Sequence, residues 1–78
     1  MITPAQCRAG RALLNWSQQQ LADLAKVGVV TVRQFEREGA QPRHATLDVI
    51  RRALEAGGVI FVDENGAGPG VRLKKSQH

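Results

Sequence analysis

The sequence predicts a mainly α-helical domain of four helices with a short C-terminal β-hairpin or strand pair. Up to about residue 57, apolar side chains recur at helical spacing, and capping residues separate the segments. Residues 59–62 then form a run of β-branched and aromatic side chains, which is typical of a strand. This change of pattern separates a helical part from a β tail.

Length and composition limit the classes of protein to which the chain can belong. Seventy-eight residues form one domain, and an apolar fraction of 42% is ordinary for a globular chain. A single cysteine excludes an intrachain disulfide, and no Cys/His set has zinc spacing. The chain has no signal-peptide pattern and no apolar run near the roughly 18 residues of a membrane span. We therefore expect a cytoplasmic protein without a metal or other cofactor.

Caps predict the first two helices. Thr3 can cap a helix in which Pro4 occupies the first position. Ser17 and Gln20 form the capping-box pattern S-x-x-Q, which starts a second helix over residues 18–25. The side chains assigned to the inner faces are Cys7, Gly10 and Leu14 in the first helix and Leu21, Ala22 and Ala25 in the second.

A third helix is predicted after the turn Lys26-Val27-Gly28, over about residues 29–38. Gly28 is acceptable as its N-cap, and Gly39 is the glycine expected to end it. Its inner stripe consists of Val32, Phe35 and Glu36. Because a lone buried carboxylate is costly, Glu36 requires a partner.

The rest of the chain predicts a fourth helix and a hairpin. The fourth helix should span about residues 45–56, burying Leu47, Ile50 and Leu54 and ending at Gly57-Gly58. Residues 59–62 and 71–73 are the expected strands, joined by a loop rich in glycine. An isolated hairpin is marginal in water, so it should pack on the helices or pair with a second subunit.

A set of residues at fixed spacing between Ser17 and Pro42 is typical of one class of protein. They are Ser17-Gln18 before Leu21-Ala22, Val27 in the turn, Thr31-Val32, Glu36, Gly39 and Pro42. Together they make residues 5–56 resemble the phage repressor/Cro-like helix-turn-helix family, also called the xenobiotic-response-element family. With its ending GVIFVDENGAGPGVRL, the chain also resembles small stand-alone bacterial regulators with a short β tail.

The resemblance implies a repressor-like helix-turn-helix fold and a division of the chain. Residues 1–57 would form the DNA-binding domain, with the motif at about 18–37. Residues 58–73 would form the β tail, and residues 74–78 a disordered end. The family usually has glycine where Lys26 stands, because the turn residue is often left-handed. We expect lysine there to cost on the order of 1 kcal/mol.

In a helix-turn-helix, the N-terminal residues of the second motif helix meet base edges. The residues expected to do so are Val29, Val30, Thr31 and Gln34. Gln34 can form a bidentate pair with adenine, Thr31 can bond a base or a phosphate, and the valine methyl groups suit thymine. The alternative for the two valines is that they only start the helix or join the core.

The basic side chains around the motif suggest contacts with the DNA backbone. The net charge of +4 and a pI near 10.2 favour a polyanionic partner. The resemblance implies that Gln18 bonds a phosphate with the help of its helix dipole. The other expected phosphate contacts are Arg33, Arg37, Arg43 and His44. The alternative is a solvated face, which we expect for at least one of them.

The resemblance also implies a structural salt bridge between Arg11 and Glu36. If the pair is buried, removal of one partner should destabilise the fold by roughly 3–5 kcal/mol.

Catalysis is not expected. Cys7 could be paired with His44 or His78 as nucleophile and base, but it falls on the apolar face of the first helix, where an inert buried thiol is expected. The loop over residues 66–70 is rich in glycine but opens no helix, so it is not a phosphate cradle.

The resulting hypothesis is a sequence-specific double-stranded DNA-binding transcriptional regulator, a homodimer reading an inverted repeat. The β tail is the expected dimer element, because Val59, Phe61 and Leu73 need cover. The alternative is a hairpin folded onto helices 1 and 4 of its own subunit. A second hypothesis is a protein-interaction module, antitoxin-like or an anti-activator component, with secondary DNA binding. No small-molecule ligand or membrane contact is expected.

Overall fold

The computed structural model describes residues 2–37 and 41–75 and contains four helices and two strands. In chain order these are α1 (Pro4–Leu14), α2 (Gln18–Ala25), α3 (Val29–Glu36), α4 (His44–Ala56), β1 (Val59–Val62) and β2 (Gly70–Leu73). The two strands pair antiparallel, with Val59 opposite Leu73 and Val62 opposite Gly70. The expected helical domain with a C-terminal hairpin is confirmed.

Three boundaries differ from the sequence prediction. α3 ends at Glu36, two residues early, and Arg37 caps it by donating its backbone N–H to the carbonyl of Arg33. α4 begins at His44, one residue early, directly after the extended N-cap residue Arg43. β2 also begins one residue early, at Gly70, which pairs with Val62 of β1.

Two parts of the prediction concern residues that the structure does not describe. The expected cap Gly39 and residues 76–78 of the expected disordered end lie outside the described residues. Lys74, also assigned to that end, donates its backbone N–H to the carbonyl of Gly58 at 2.6 Å.

Capping boxes start both α1 and α2. The Ser17 hydroxyl accepts the Gln20 backbone N–H at 3.0 Å, and the Gln20 side chain accepts the Ser17 N–H at 2.7 Å. Thr3 and Gln6 exchange the same two bonds, at 3.1 and 2.9 Å. The box at Thr3 has the sequence pattern T-x-x-Q but is not among the predictions made from the sequence. Each box satisfies two backbone donors that a helix start leaves without partners.

The core lies where the helices converge, and the hairpin covers one side of it. Its residues are Ile2, Cys7, Leu21, Ala22, Ala25, Val32, Phe35, Leu47, Ile50, Leu54 and Val59. The inner stripes expected for α2, α3 and α4 are therefore buried as predicted. In α1, Cys7 and Gly10 are buried, while Leu14 packs against the core from its edge.

The hairpin packs on the helices of its own subunit. Val59 is only 3% exposed, and Phe61 and Val71 pack against the core. The Arg51 guanidinium of α4 lies 5.0 Å from the centre of the Phe61 ring. At Val59 the structure therefore matches the alternative given above, a hairpin folded onto helices of its own subunit, and Phe61 is half-buried against the same core.

Gln6 connects α1 to both strands. It is 5% exposed, and its amide nitrogen donates to the carbonyl of Gly70 at 3.0 Å and of Val62 at 3.4 Å. Val62 and Gly70 are opposite each other in the register, at the end of the hairpin where its loop is attached. A buried amide that satisfies strand carbonyls fixes the hairpin in one position, since moving it would leave buried polar groups without partners.

A second polar cluster ties α1, α2 and α3 together at the carboxylate of Glu36, which is 3% exposed. Arg11 donates to both carboxylate oxygens, from Nε and Nη2, at 2.7 Å each. Gln18 Nε2 donates to one oxygen at 3.0 Å, and the Cys7 thiol donates to the other at 3.1 Å. Arg8 also donates to the Glu36 backbone carbonyl.

This environment favours the ionised form of Glu36. Burial alone would raise the pKa of the carboxyl group. Hydrogen bonds from Arg11, Gln18 and Cys7, with the Arg11 charge, outweigh burial and hold the pKa below its ordinary value of 4.5. Glu36 therefore stabilises the fold above pH 4.5, and the contribution is lost as the pH falls towards the lower native value.

The first prediction concerns acid stability. The free energy of unfolding of the natural chain should exceed that of Glu36→Gln at pH 7, and the gap should narrow below about pH 4.5, because only the natural chain loses an ionised Glu36 there. Urea unfolding from pH 7 to pH 3 measures both. As a control, Glu55→Gln alters an exposed pair with Arg51 and should change stability by less than about 1 kcal/mol. A gap that stays constant with pH would contradict the assignment.

The second prediction concerns the turn between α2 and α3. Lys26 has φ 59° and ψ 45°, a left-handed conformation that favours glycine. Lys26→Gly should therefore stabilise the fold by about 1 kcal/mol, raising Tm by roughly 4–8 °C. Lys26→Ala removes the same charge but keeps the strained conformation, so it should bring no such gain. Equal Tm values for the two variants would refute this explanation.

Candidate nucleic-acid interface

The turn between α2 and α3 sets the direction of α3. Left-handed Lys26 reverses the chain, and the backbone N–H of Val27 donates to the carbonyl of Ala22 at 3.0 Å. Val27 then packs against the core. Gly28 is extended and caps α3 without a side-chain hydrogen bond. The helix therefore starts at a fixed point close to the end of α2.

The inner face of α3 is held by apolar packing and by the Glu36 carboxylate. Val32 is fully buried and Phe35 is 2% exposed. Glu36, one residue further, is bonded to α1 and α2. A helix fixed along one face in this way presents its opposite face in a defined orientation.

The outer face of α3 carries Val30, Arg33, Gln34 and Arg37, all of which are exposed. Val30 and Gln34 are four residues apart and therefore neighbours on one face, and Arg33 and Arg37 are related in the same way. Thr31 is half-buried beside them.

Val29 differs from the other expected base contacts. It is half-buried and packs against the core, as the alternative interpretation of the valines held. The physical reason is helical spacing, because Val29 precedes buried Val32 by three residues and shares its side of the helix.

The residues expected to contact phosphates lie on three elements. Gln18 is the first residue of α2 and is half-buried, with its amide nitrogen donating to Glu36. Arg33 and Arg37 lie on α3, and Arg43 and His44 lie at the start of α4; all four are exposed. Within residues 2–37 and 41–75, the arginines in ion pairs are Arg11, Arg51 and Arg52. The positive charges of Arg33, Arg37 and Arg43 are thus not paired within this part of the chain.

Cys7 has a structural environment. The thiol is fully buried and donates to Glu36. Burial, then the hydrogen bond to Glu36, raises the pKa of Cys7 well above its ordinary value of 9.0. Because the thiolate is the nucleophilic form, this environment suppresses reactivity.

Two further features concern ligands and membranes. Among the described residues, no cluster of three or more His, Cys, Asp or Glu side chains is arranged to hold a metal ion, and His78 lies outside them. The helices seen in the same residues are too short or too polar to cross a membrane.

Comparison of the sequence with known protein families identifies one family that matches the chain. Residues 8–59, which are 52 of the 78 residues, match the family model HTH_3, described as helix-turn-helix. The matched segment runs from α1 through α4 to the first residue of β1. No curated protein matches the chain. The chain therefore belongs to the HTH_3 helix-turn-helix family, a family of DNA-binding transcriptional regulators that are not typically enzymes.

Proposed function

We propose that the chain is a sequence-specific regulator of the phage repressor/Cro-like type, which binds an inverted repeat in double-stranded DNA as a homodimer. The observation that carries the proposal is the division of α3 into two faces. Its inner face is fixed by Val32, Phe35 and Glu36, and its outer face is exposed. A rigid helix with one free face is what insertion into the major groove requires.

Base recognition falls to the exposed part of α3. Gln34 offers an amide that makes no hydrogen bond to any of the described residues, so both its donor and its acceptor are free for adenine. Thr31 is half-buried, with a hydroxyl that can reach a base or a phosphate. Since Val29 packs inward, we assign base contacts to Val30, Thr31 and Gln34.

We assign the contacts with the DNA backbone to the amide of Gln18 and to the positive side chains. An amide nitrogen carries two N–H groups, and Glu36 accepts only one of those on Gln18. The second is held in place by the first and can donate to a phosphate oxygen at the start of α2. Arg33, Arg37, Arg43 and His44 supply further donors, each phosphate contact adding to the salt dependence of binding.

A homodimer is proposed because one helix reads only a few base pairs. Two subunits with their recognition helices about 34 Å apart would read two half-sites on one side of the duplex. Leu73 is the apolar tail residue that remains available to a second subunit, being 46% exposed at the end of β2. The alternative of a protein-interaction module has no observation of its own in its favour. A cytoplasmic location remains our expectation for a regulator of this kind.

The third prediction separates base contacts from phosphate contacts. Gln34→Ala should relax the preference at one base pair, by about 1–3 kcal/mol, because it removes a base-edge contact. Arg33→Ala should weaken binding to all sequences alike and lower the salt slope by about 1. Both are measured by titrating duplexes selected from a random library at several salt concentrations. The reverse pattern would overturn the assignment.

The fourth prediction concerns stoichiometry. A duplex with two inverted half-sites should bind two chains, and more tightly per chain than a duplex with one half-site, as measured by native mass spectrometry and titration. Leu73→Ser should weaken binding to the repeat but leave the single half-site unaffected, because Leu73 lies outside α3. Saturation of the repeat at one chain would exclude the homodimer.

A further inference from the structure

Val30 places an apolar side chain on the proposed reading face. It is 53% exposed at the second position of α3, whereas Val29 before it packs against the core. A single exposed valine is ordinary on a protein surface. What distinguishes Val30 is its position, four residues before Gln34 on the same helical face.

The chemistry of the major groove restricts what Val30 can recognise. Base edges there present hydrogen-bond donors and acceptors, and thymine alone among the four bases adds an apolar group, its C5-methyl. A valine side chain can neither donate nor accept a hydrogen bond. Against an unmethylated cytosine it would instead cover part of a polar amino group, which is unfavourable.

On the basis of the proposed DNA-binding function, we infer that Val30 reads the C5-methyl group of a pyrimidine and that binding therefore responds to cytosine methylation. The methyl group of 5-methylcytosine is attached to the same ring atom as that of thymine. It therefore occupies the same place in the major groove. The side chain has no means of distinguishing thymine from 5-methylcytosine at this group.

The spacing on α3 also locates the methyl group within the half-site. Residues four apart are separated by about 6 Å along a helix axis, and stacked base pairs by about 3.4 Å. The methylated pyrimidine should therefore lie within one or two base pairs of the adenine read by Gln34. This expected distance between the methyl group and the adenine can be tested position by position, and a general preference for A·T pairs would not produce it.

The test uses the duplex that the natural full-length chain selects from a random library. Each thymine is replaced in turn by deoxyuridine, which pairs identically but lacks the C5-methyl group. One position in each half-site should weaken binding about four-fold, the factor equivalent to ~0.8 kcal/mol for one buried carbon. At that position, 5-methylcytosine should bind about four-fold more tightly than cytosine.

Two variants on the same helical face provide the controls. Val30→Ala should bind the thymine duplex more weakly and lose sensitivity to deoxyuridine and to 5-methylcytosine. Alanine favours a helix more than valine does, so this variant should fold. Gln34→Ala should lose its preference for adenine but keep the methyl sensitivity of the natural chain.

The outcomes separate this inference from the proposed function. Salt-sensitive binding of the selected duplex with no effect of deoxyuridine at any position would overturn the inference alone. Methyl sensitivity that persists unchanged in Val30→Ala would also overturn it. Failure of the natural chain to bind any duplex from the library would overturn the proposed function, and this inference with it.

Discussion

The buried carboxylate of Glu36 is the constraint on which the rest of the structure depends. A charge that is 3% exposed is tolerable only when donors surround it, and here they come from both neighbouring helices. Arg11 and Cys7 belong to α1, and Gln18 begins α2. All of them converge on the last residue of α3, so the hydrogen bonds to this one carboxylate connect the three helices. That arrangement leaves the opposite side of α3 free.

The same cluster relates the core to the proposed interface. Gln18 contacts Glu36 with one N–H of its amide, and we assign the other to a DNA phosphate. The Glu36 carboxylate, which orients α3, thus also orients the proposed DNA-backbone contact of α2. The two helices would therefore meet the duplex in a fixed relative position. The hairpin completes the subunit from the other side, where Gln6 and Val59 hold it against α1 and α4. Val30 and Gln34 remain exposed as a consequence of this packing.

Local patterns in the sequence were sufficient for most of the fold. The capping box at Ser17 and the stripes of α2, α3 and α4 depend on neighbours three or four residues apart, which a sequence displays directly. Long-range choices were not visible in this way. The packing of the hairpin on its own helices involves long-range contacts, such as those of Gln6 with strand residues more than 50 positions away. Val29 lies at the border between the two faces of α3, half-buried against the core, and periodicity alone does not decide to which face such a residue belongs.

The central claim is that Glu36 and Arg11 act as one unit that holds α3 in place. A double-mutant cycle with Arg11→Met and Glu36→Leu tests it most directly, by urea unfolding in a stabilising sulfate buffer. Each single change should cost roughly 3–5 kcal/mol, since it leaves a charge buried without its partner. The double variant should lose less than the sum of the two, by about 2 kcal/mol or more. Strictly additive losses would contradict the account.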